Sequence, residues 1–538
     1  MLRDKYFWII VFVSLSVRVY LAFFTYVIQN DSVAFMQNAE YFANGDFANA
    51  LSHPYHPLYS LLMACLNTIA QSMELSGTVV SILFGTLTVV AFYLIGKSVF
   101  DCKTAFVSSI IMAFHPYAVR FSADILSEST YFFFFTSAFG LGFFAISGRK
   151  YLLFALAGIS AALAYLTRPE GIGVIIIIIF WCILKDIARF KILWKEKLAS
   201  ILITGIAFLV FSSPYLLFIK SETGAWLLTM KRNLSKVKIE MTPEEQSKGK
   251  LIKKNVDKDQ HSDTGAGKER PAVAKLIKKD IPAQPDKVYL KSFLYVLSKY
   301  ISTLHPFLFV FFIMGVILWT KTGNDRFFGL YLITIIVLYL LILFRLNLVN
   351  IAFYGTIGQY PSKRHLMPIV IPAIFCVGIG AYAIGAWIYE RFQFDSLRAD
   401  ILRHLKSKWT VQLIIMIIVI GVLMPKTLEP QGADKLGVKK VAQWIKGNSD
   451  KESPAIMSSS IRNAYYANGK HIQIYNINDV VSTVRVMKAD YVLITQRDYK
   501  IIEKELQRSV RNNQIELAYK YPETSLNGRT ILLYKLIY

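Results

Sequence analysis

The feature that most limits how this chain can fold is the recurrence of long apolar segments. A helix needs about 20 predominantly apolar residues to cross the hydrocarbon core of a bilayer, and only a hydrogen-bonded helix or a closed barrel can span it. Segments of this kind lie near 6–28, 76–97, 104–121, 127–147, 151–167, 171–184, 198–219, 301–320, 326–346, 366–390 and 410–425, eleven in all. The composition agrees: 54% of the 538 residues are hydrophobic and only 18% are charged, which excludes both a soluble multidomain protein and a disordered one. The first segment follows Arg3 and Lys5 and lacks a small-residue cleavage site, so it reads as a retained anchor. The stretch 56–73 is apolar but short and reads as a helix lying in the interface.

Against this apolar background stand 60 Lys and Arg and 36 Asp and Glu, a formal charge of +24. Nucleic-acid binding is one source of such basicity; the excess of Lys and Arg in cytoplasmic loops is another. With the N-terminus in the cytoplasm, alternate short loops carry Lys97 and Lys103, Arg149 and Lys150, Lys185 to Lys197, Lys321 and Arg326, and Arg391 to Lys408. All of these fall on the cytoplasmic side of an eleven-span chain, so no nucleic-acid partner is expected. The outward segments are then 29–75, turns near 122–126 and 168–170, the loop 220–300, the turn 347–365 and the tail 426–538. Loop residues 231–291 hold 16 basic and 9 acidic residues and contain KLIKK twice. They read as a solvated loop or as a basic flap on anionic lipid.

The tail changes character. Strand-like runs at 454–459, 471–477, 489–495, 515–521 and 529–537 alternate with helical patterns at 434–447 and 497–512. The predicted fold class is therefore a mainly α, polytopic membrane protein with a small C-terminal α/β extramembrane domain. The boundaries are 1–425 for the membrane module and 426–538 for the soluble domain. No glycine-rich phosphate loop follows any strand. The four cysteines sit in or beside apolar segments, and no C-x-x-C or H-E-x-x-H pattern occurs, so neither a disulfide framework nor a zinc site is expected.

Charges at the edges of membrane segments are expensive and point to function. On the outward side stand Asp31, Asp124, Glu128, Arg168, Lys231, Arg232, Arg364 and His365. Carboxylates can deprotonate or orient a hydroxyl or amine, and Arg and Lys can hold a phosphate. Together they suit a reaction whose leaving group is a phosphate-bearing lipid. Singly, each has a plainer reading. Asp31 can cap the helix beginning SVAF, Glu128 can cap a helix or pair with Arg120, and Arg168 can snorkel at the interface. Arg364 and His365 can anchor to headgroups, and His53 and His56 can be polar groups of a loop.

The ordered set NDSVAF (30–35), HPYHPLYSLL (53–62), FSADILSEST (121–130), LTRPEG (166–171) and KRHLMPIVIPA (363–373) resembles the GT-C class of membrane glycosyltransferases over residues 1–390. Within it, the resemblance is to the family 39 group of protein O-mannosyltransferases and the lipid A aminoarabinose transferase. The resemblance implies a donor sugar on polyprenyl phosphate, undecaprenyl phosphate in a bacterium, and an extracytoplasmic acceptor: protein, lipid or glycan. It implies that Asp31 is the acid–base or nucleophile-positioning carboxylate and that Glu128 fills the acidic position of the second outward loop. Arg168, Arg364, Lys231 and His365 would serve the carrier phosphate. His53, His56, Tyr59 and Glu170 would line the substrate pocket. Three departures stand out: His56-Pro57 replaces a common Pro-Pro, His365 replaces a Tyr, and Arg168 stands where the lipid A transferases keep Lys. The implied activity is an inverting transfer with no obligatory cofactor; a divalent cation between Asp31 and Glu128 is the alternative. The rivals are a transporter or lipid flippase, and a scaffolding membrane protein. The expected location is the plasma membrane, N-terminus in the cytoplasm and C-terminal domain outside.

Overall fold

The computed structural model describes residues 4–186, 190–230, 285–322, 326–354, 360–392, 407–474, 480, 484, 487–522 and 530–537. The first half runs through α1 (Lys5–Phe23), α2 (Asn30–Ala43), α3 (Phe47–Ser52), α4 (Pro57–Ala70), α5 (Met73–Val99), α6 (Cys102–Ala113) and α7 (Pro116–Ser122). It continues with α8 (Glu128–Gly148), α9 (Tyr151–Thr167), a short 3-10 turn (Pro169–Gly171), α10 (Ile172–Leu184) and α11 (Phe190–Thr223). The second half holds α12 (Pro285–Leu304), α13 (Pro306–Thr322), α14 (Arg326–Tyr354), α15 (Lys363–Arg391) and α16 (Lys408–Thr427).

Each of the eleven apolar segments is helical over most of its length, two of them across a helix break. Among the described residues seven helices, α1, α5, α8, α11, α14, α15 and α16, are long and apolar enough to cross a membrane. The helices α6, α9 and α10 are shorter apolar ones. The pair α12–α13 passes the same test as one span but is bent by 97° at His305, whose φ is +88°. At 14 residues and a rise of ~1.5 Å each, α4 reaches only about 21 Å, short of the ~30 Å core. The chain is a multi-pass membrane protein.

Three boundaries differ from expectation. The segment 104–121 is broken into α6 and α7, because Pro116 has no N–H to donate and His115 turns its Nδ1 to accept from Ala118 N at 3.4 Å. The first span ends at Phe23, not residue 28, and Tyr26 N instead donates to Gln431 O at 2.9 Å. The eighth expected span begins inside the bent pair. The basic stretch 231–284, including Lys231, lies outside the described residues.

Packing inside the bundle relies on close backbone approach, as expected where lipid supplies no hydrophobic drive between helices. A Cβ on Gly315 of α13 would overlap the carbonyl of Cys376 in α15, and one on Gly380 would overlap the carbonyl of Phe311. Aromatic rings fill the remaining space; Phe92 and Phe375 stack with centroids 3.7 Å apart.

The charges sort to the two ends of the bundle. One end holds Lys97–Asp4 at 2.6 Å, Arg149–Asp186 at 3.0 Å and Lys408–Glu390 at 2.7 Å. The other end holds α2 to α4, α7, the turn after α9 and the start of α15. Beyond α16, a mixed sheet has the order β2-β1-β3-β5-β4, from β1 (Ala455–Ser458), β2 (Lys470–Gln473), β3 (Tyr491–Thr495), β4 (Ile515–Tyr521) and β5 (Ile531–Leu536). β1 pairs in parallel with β2 and β3, whereas β5 runs antiparallel to β3 and β4. Helices α17 (Leu436–Asn448) and α19 (Gln496–Arg511) match the two predicted helical patterns. The short α18 (Ile461–Tyr466) was not foreseen. It seats the sheet on the membrane part: Tyr466 Oη accepts from Ile28 N at 3.0 Å, and Arg462 donates to Ile28 O at 3.2 Å.

Candidate active site

Four helix ends and one turn build a charged cluster at this second end of the bundle. α2 is opened by Gln29 and Ser32 in a capping box, which puts Asp31 in its first turn. Asp31 is thus not the cap residue itself. α8 follows Ser127 and carries Glu128 in its first turn. Both carboxylates sit where the positive end of a helix dipole favours them. Arg168 ends α9 in extended backbone, and Glu170 lies in the turn after it. α15 is opened by Ser362, capped reciprocally with His365, and this turns Arg364 across the gap toward α2.

The side chains meet. Arg364 lies 2.5 Å from Asp31 Oδ2 and 3.6 Å from Glu128 Oε1. Arg168 binds the same Glu128 oxygen at 2.7 Å and Glu170 at 3.1 Å. Tyr55 Oη donates to the other oxygen of Asp31 at 2.8 Å. The Glu128 side chain is only 1% exposed, so it depends on its two arginines. Glu128 therefore pairs with Arg168 and Arg364 rather than with Arg120, which donates to Gln431 Oε1 at 3.1 Å. Arg168 faces the cluster instead of snorkelling, and Arg364 turns inward instead of anchoring to headgroups.

Two cavities share Asp31, Glu128 and Arg364 as a common wall. The smaller, about 110 Å³, is lined by Tyr55, His56, Arg168, Glu170 and His365. The larger, about 650 Å³, is lined in addition by Arg120, Asp124, Lys363, Lys435 and Arg462. Burial alone would raise the Glu170 carboxyl, but Arg168 overrides it and holds Glu170 down at about 2. Burial pushes His56 down to about 4. Its Nδ1 lies 2.6 Å from the Tyr165 carbonyl and so carries the proton, which leaves Nε2 a buried lone pair with no described partner. Burial raises Asp124 to about 6 although Ile125 N and Ser32 donate to it.

Of the expected site residues, Asp31, Glu128, Arg168, Glu170 and Arg364 form one network, and His56 and His365 line the smaller cavity. His53 stands one layer back. Its ring stacks on Tyr55 at 5.6 Å and its Nδ1 accepts from Tyr55 N, so it sets the ring that binds Asp31. Tyr59 does not line either cavity; it is fully buried and its hydroxyl is spent on Gly77 O and Ser81. Sequence reasoning missed Tyr55, for which its place in HPYHP was a signal, and Lys363, adjacent to Arg364. It had no signal for Lys435 and Arg462. Among the described residues no three His, Cys, Asp or Glu side chains converge as metal ligands. Arg364 already bridges the two carboxylates that a cation would need.

Residues 52–218 match the family described as dolichyl-phosphate-mannose-protein mannosyltransferase. No curated protein matches the sequence. Among solved structures, ArnT from Cupriavidus metallidurans bound to undecaprenyl phosphate superposes with a TM-score of 0.53 at 12% identity, covering 98% of both chains. The archaeal oligosaccharyltransferase AglB from Archaeoglobus fulgidus, in complex with an inhibitory peptide and a dolichol-phosphate, gives 0.54 at 12% identity, covering 98% of this chain and 73% of that one. The chain has the GT-C fold.

Proposed function

We propose that this chain is an integral-membrane glycosyltransferase that moves a sugar from a polyprenyl-phosphate carrier to an acceptor on the outer face of the plasma membrane. The observation that carries the reading is the Asp31–Arg364–Glu128–Arg168 network at one end of a GT-C helix bundle. Residues 1–425 form the transferase module, and 426–538 cover its outward end. The Lys- and Arg-rich short loops support a cytoplasmic position for the opposite end and the N-terminus.

The reaction is one inverting displacement. The acceptor oxygen or nitrogen, oriented by Asp31, attacks the anomeric carbon; its proton passes to the Asp31 carboxylate. The bond from that carbon to the carrier phosphate breaks, and the electron pair leaves with the phosphate. The carrier starts as a singly charged diester and leaves as a doubly charged monoester, so cations near it gain interaction energy as the bond breaks. Arg364 and Arg168 supply those cations. Arg364 is shared between Asp31 and the incoming phosphate, so donor binding draws it off Asp31 and leaves that carboxylate with Tyr55.

The test is release of undecaprenyl phosphate from a radiolabelled undecaprenyl-phosphate sugar by full-length protein in proteoliposomes. Release by the wild type and its loss in Asp31→Asn and Arg364→Ala is the expected result. Movement of the labelled lipid across the bilayer without release would replace the transferase reading with that of a flippase.

A further inference from the structure

The larger cavity holds more positive charge than the displacement uses. Arg364 is compensated by Asp31 and Glu128. The other four cations of its wall, Arg120, Lys363, Lys435 and Arg462, form no ion pair with any described carboxylate. Their described hydrogen bonds go to neutral acceptors. Arg120 donates to the Gln431 side chain, Arg462 to the Ile28 carbonyl and Lys363 to the Tyr117 hydroxyl. Lys363 and Lys426 also approach the Tyr117 ring, at 4.4 and 5.3 Å. Burial first, then the neighbouring Arg462, lowers the Lys435 ammonium below its ordinary value, and burial lowers Arg462 as well; Asp434 and Asp124, the latter in the same wall, act against both shifts and are outweighed. Holding like charges together in a half-buried bay opposes folding, and a bound anion reverses that opposition.

The place of the bay matters as much as its charge. It shares Asp31, Arg364 and Glu128 with the smaller cavity but not Arg168 or Glu170, so a molecule in it reaches Asp31 without occupying the cavity that Arg168 lines. An inverting displacement needs the nucleophile and the leaving group on opposite sides of the reacting carbon. At about 650 Å³ the bay falls within the size of ordinary small-molecule sites. Two of its cations come from beyond the last membrane helix. Lys435 precedes α17 and Arg462 lies on α18, which the sheet region seats against Ile28.

We propose that this bay is the acceptor site and that the acceptor carries a phosphate group, held by Arg120, Lys363, Lys435 and Arg462. The inference rests on the transferase reading above and names its second substrate class. The phosphate is not consumed. A hydroxyl of the same molecule forms the new bond to the anomeric carbon, its proton passes to Asp31, and the carrier phosphate departs toward Arg168. The α/β region thereby becomes part of the specificity apparatus: it supplies two of the four groups that read the acceptor.

The experiment uses full-length protein in phosphatidylcholine nanodiscs. Inorganic pyrophosphate serves as a soluble probe of the bay, phosphatidic acid added to the nanodisc as a lipid-borne probe, and undecaprenyl phosphate as a probe of the carrier site. In Lys435→Gln/Arg462→Gln, pyrophosphate affinity falls about tenfold or more, the loss expected for two charge-assisted contacts. Undecaprenyl phosphate affinity stays within about threefold of wild type in that variant, and falls in Arg364→Gln. Arg462→Lys keeps the charge and keeps most of the pyrophosphate affinity, which separates recognition from misfolding. If phosphatidic acid competes with pyrophosphate, the acceptor phosphate is lipid-borne; if only pyrophosphate binds, it is soluble. Unchanged pyrophosphate affinity in the double variant overturns the proposal. An equal loss of pyrophosphate and undecaprenyl phosphate also overturns it, because the bay is then the carrier site. Wild-type protein that binds pyrophosphate in the bay but does not bind undecaprenyl phosphate overturns the transferase reading instead.

Discussion

Removing one side of the Arg168–Glu128 pair should be far more damaging than removing the other. Glu128 is 1% exposed, accepts from Arg168 at 2.7 Å and is ion-paired at longer range with Arg364 at 3.6 Å. Arg168 also has Glu170, whose side chain is 32% exposed, at 3.1 Å. Arg168→Gln leaves a buried carboxylate with one distant cation. Breaking a buried pair from one side costs about 3–5 kcal/mol, and the remaining Arg364 puts this case near the lower figure. Glu128→Gln removes the buried charge while Arg168 keeps Glu170, so the loss is about 1 kcal/mol, that of a weakened hydrogen bond. The double variant Arg168→Gln/Glu128→Gln has no stranded charge, and its loss should be smaller than that of Arg168→Gln alone by about 1–2 kcal/mol, a coupling typical of contacting residues. Heat-induced loss of the monodisperse species in detergent, followed by size-exclusion chromatography, ranks the three variants. If Arg168→Gln is as stable as Glu128→Gln, or the double variant is the least stable, Glu128 does not depend on Arg168 and the reasoning fails.

Other outcomes follow from the same geometry. Asp31→Asn keeps a hydrogen-bond acceptor for Tyr55 but not a base, and carrier release should slow about 10²–10⁴-fold with little change in stability; a rate near wild type removes Asp31 from the chemistry. Asp124 has its carboxyl raised to about 6 by burial, so the folded state is favoured below the unfolded value of 3.8 and progressively disfavoured as pH rises through about 6. Asp124→Asn should therefore stabilise the protein above pH 6, by at most about 3 kcal/mol, and the gain should fade toward pH 4; melting curves at both ends of that range decide it. His56 is neutral above about pH 5, so the pH profile of kcat/KM in His56→Gln should differ in height but not in shape between pH 6 and 8. Gly315→Ala drives a methyl into the Cys376 carbonyl, a backbone atom that cannot swing aside, and should lower detergent stability by about 1–3 kcal/mol; Gly421→Ala, where nothing lies within 4 Å, is the matched control.

Much of the architecture was readable along the chain, because a bilayer imposes its thickness on each helix separately. Hydropathy runs located the apolar segments, and short apolar strand-like runs between helical patterns located the five strands. What was misread depended on atoms distant in sequence or on local breaks. The helix over 104–121 breaks at His115-Pro116, and the first span stops at Phe23 because the following backbone pairs with Gln431. The site divides the same way. Asp31, Glu128, Arg168 and Arg364 were legible because a charge beside an apolar run is costly and therefore conspicuous. Tyr59 looked equivalent to its neighbours in HPYHPLY, but the helical turn of α4 points it at Ser81 and the core.

The sequence by itself determined that this chain lives in a membrane, that its acidic and basic site residues gather at one end of the bundle, and that a small α/β region follows the last span. Those properties rest on local composition and period, which need no partner. Only the tertiary structure decided that Arg364, 333 residues from Asp31, bridges it to Glu128. It alone also showed that Lys435 and Arg462 complete a basic bay bordered by that bridge. Lysine and arginine on a solvated α/β region are unremarkable in a sequence. They acquire meaning when the fold half-buries them beside other cations with no carboxylate in ion-pair contact.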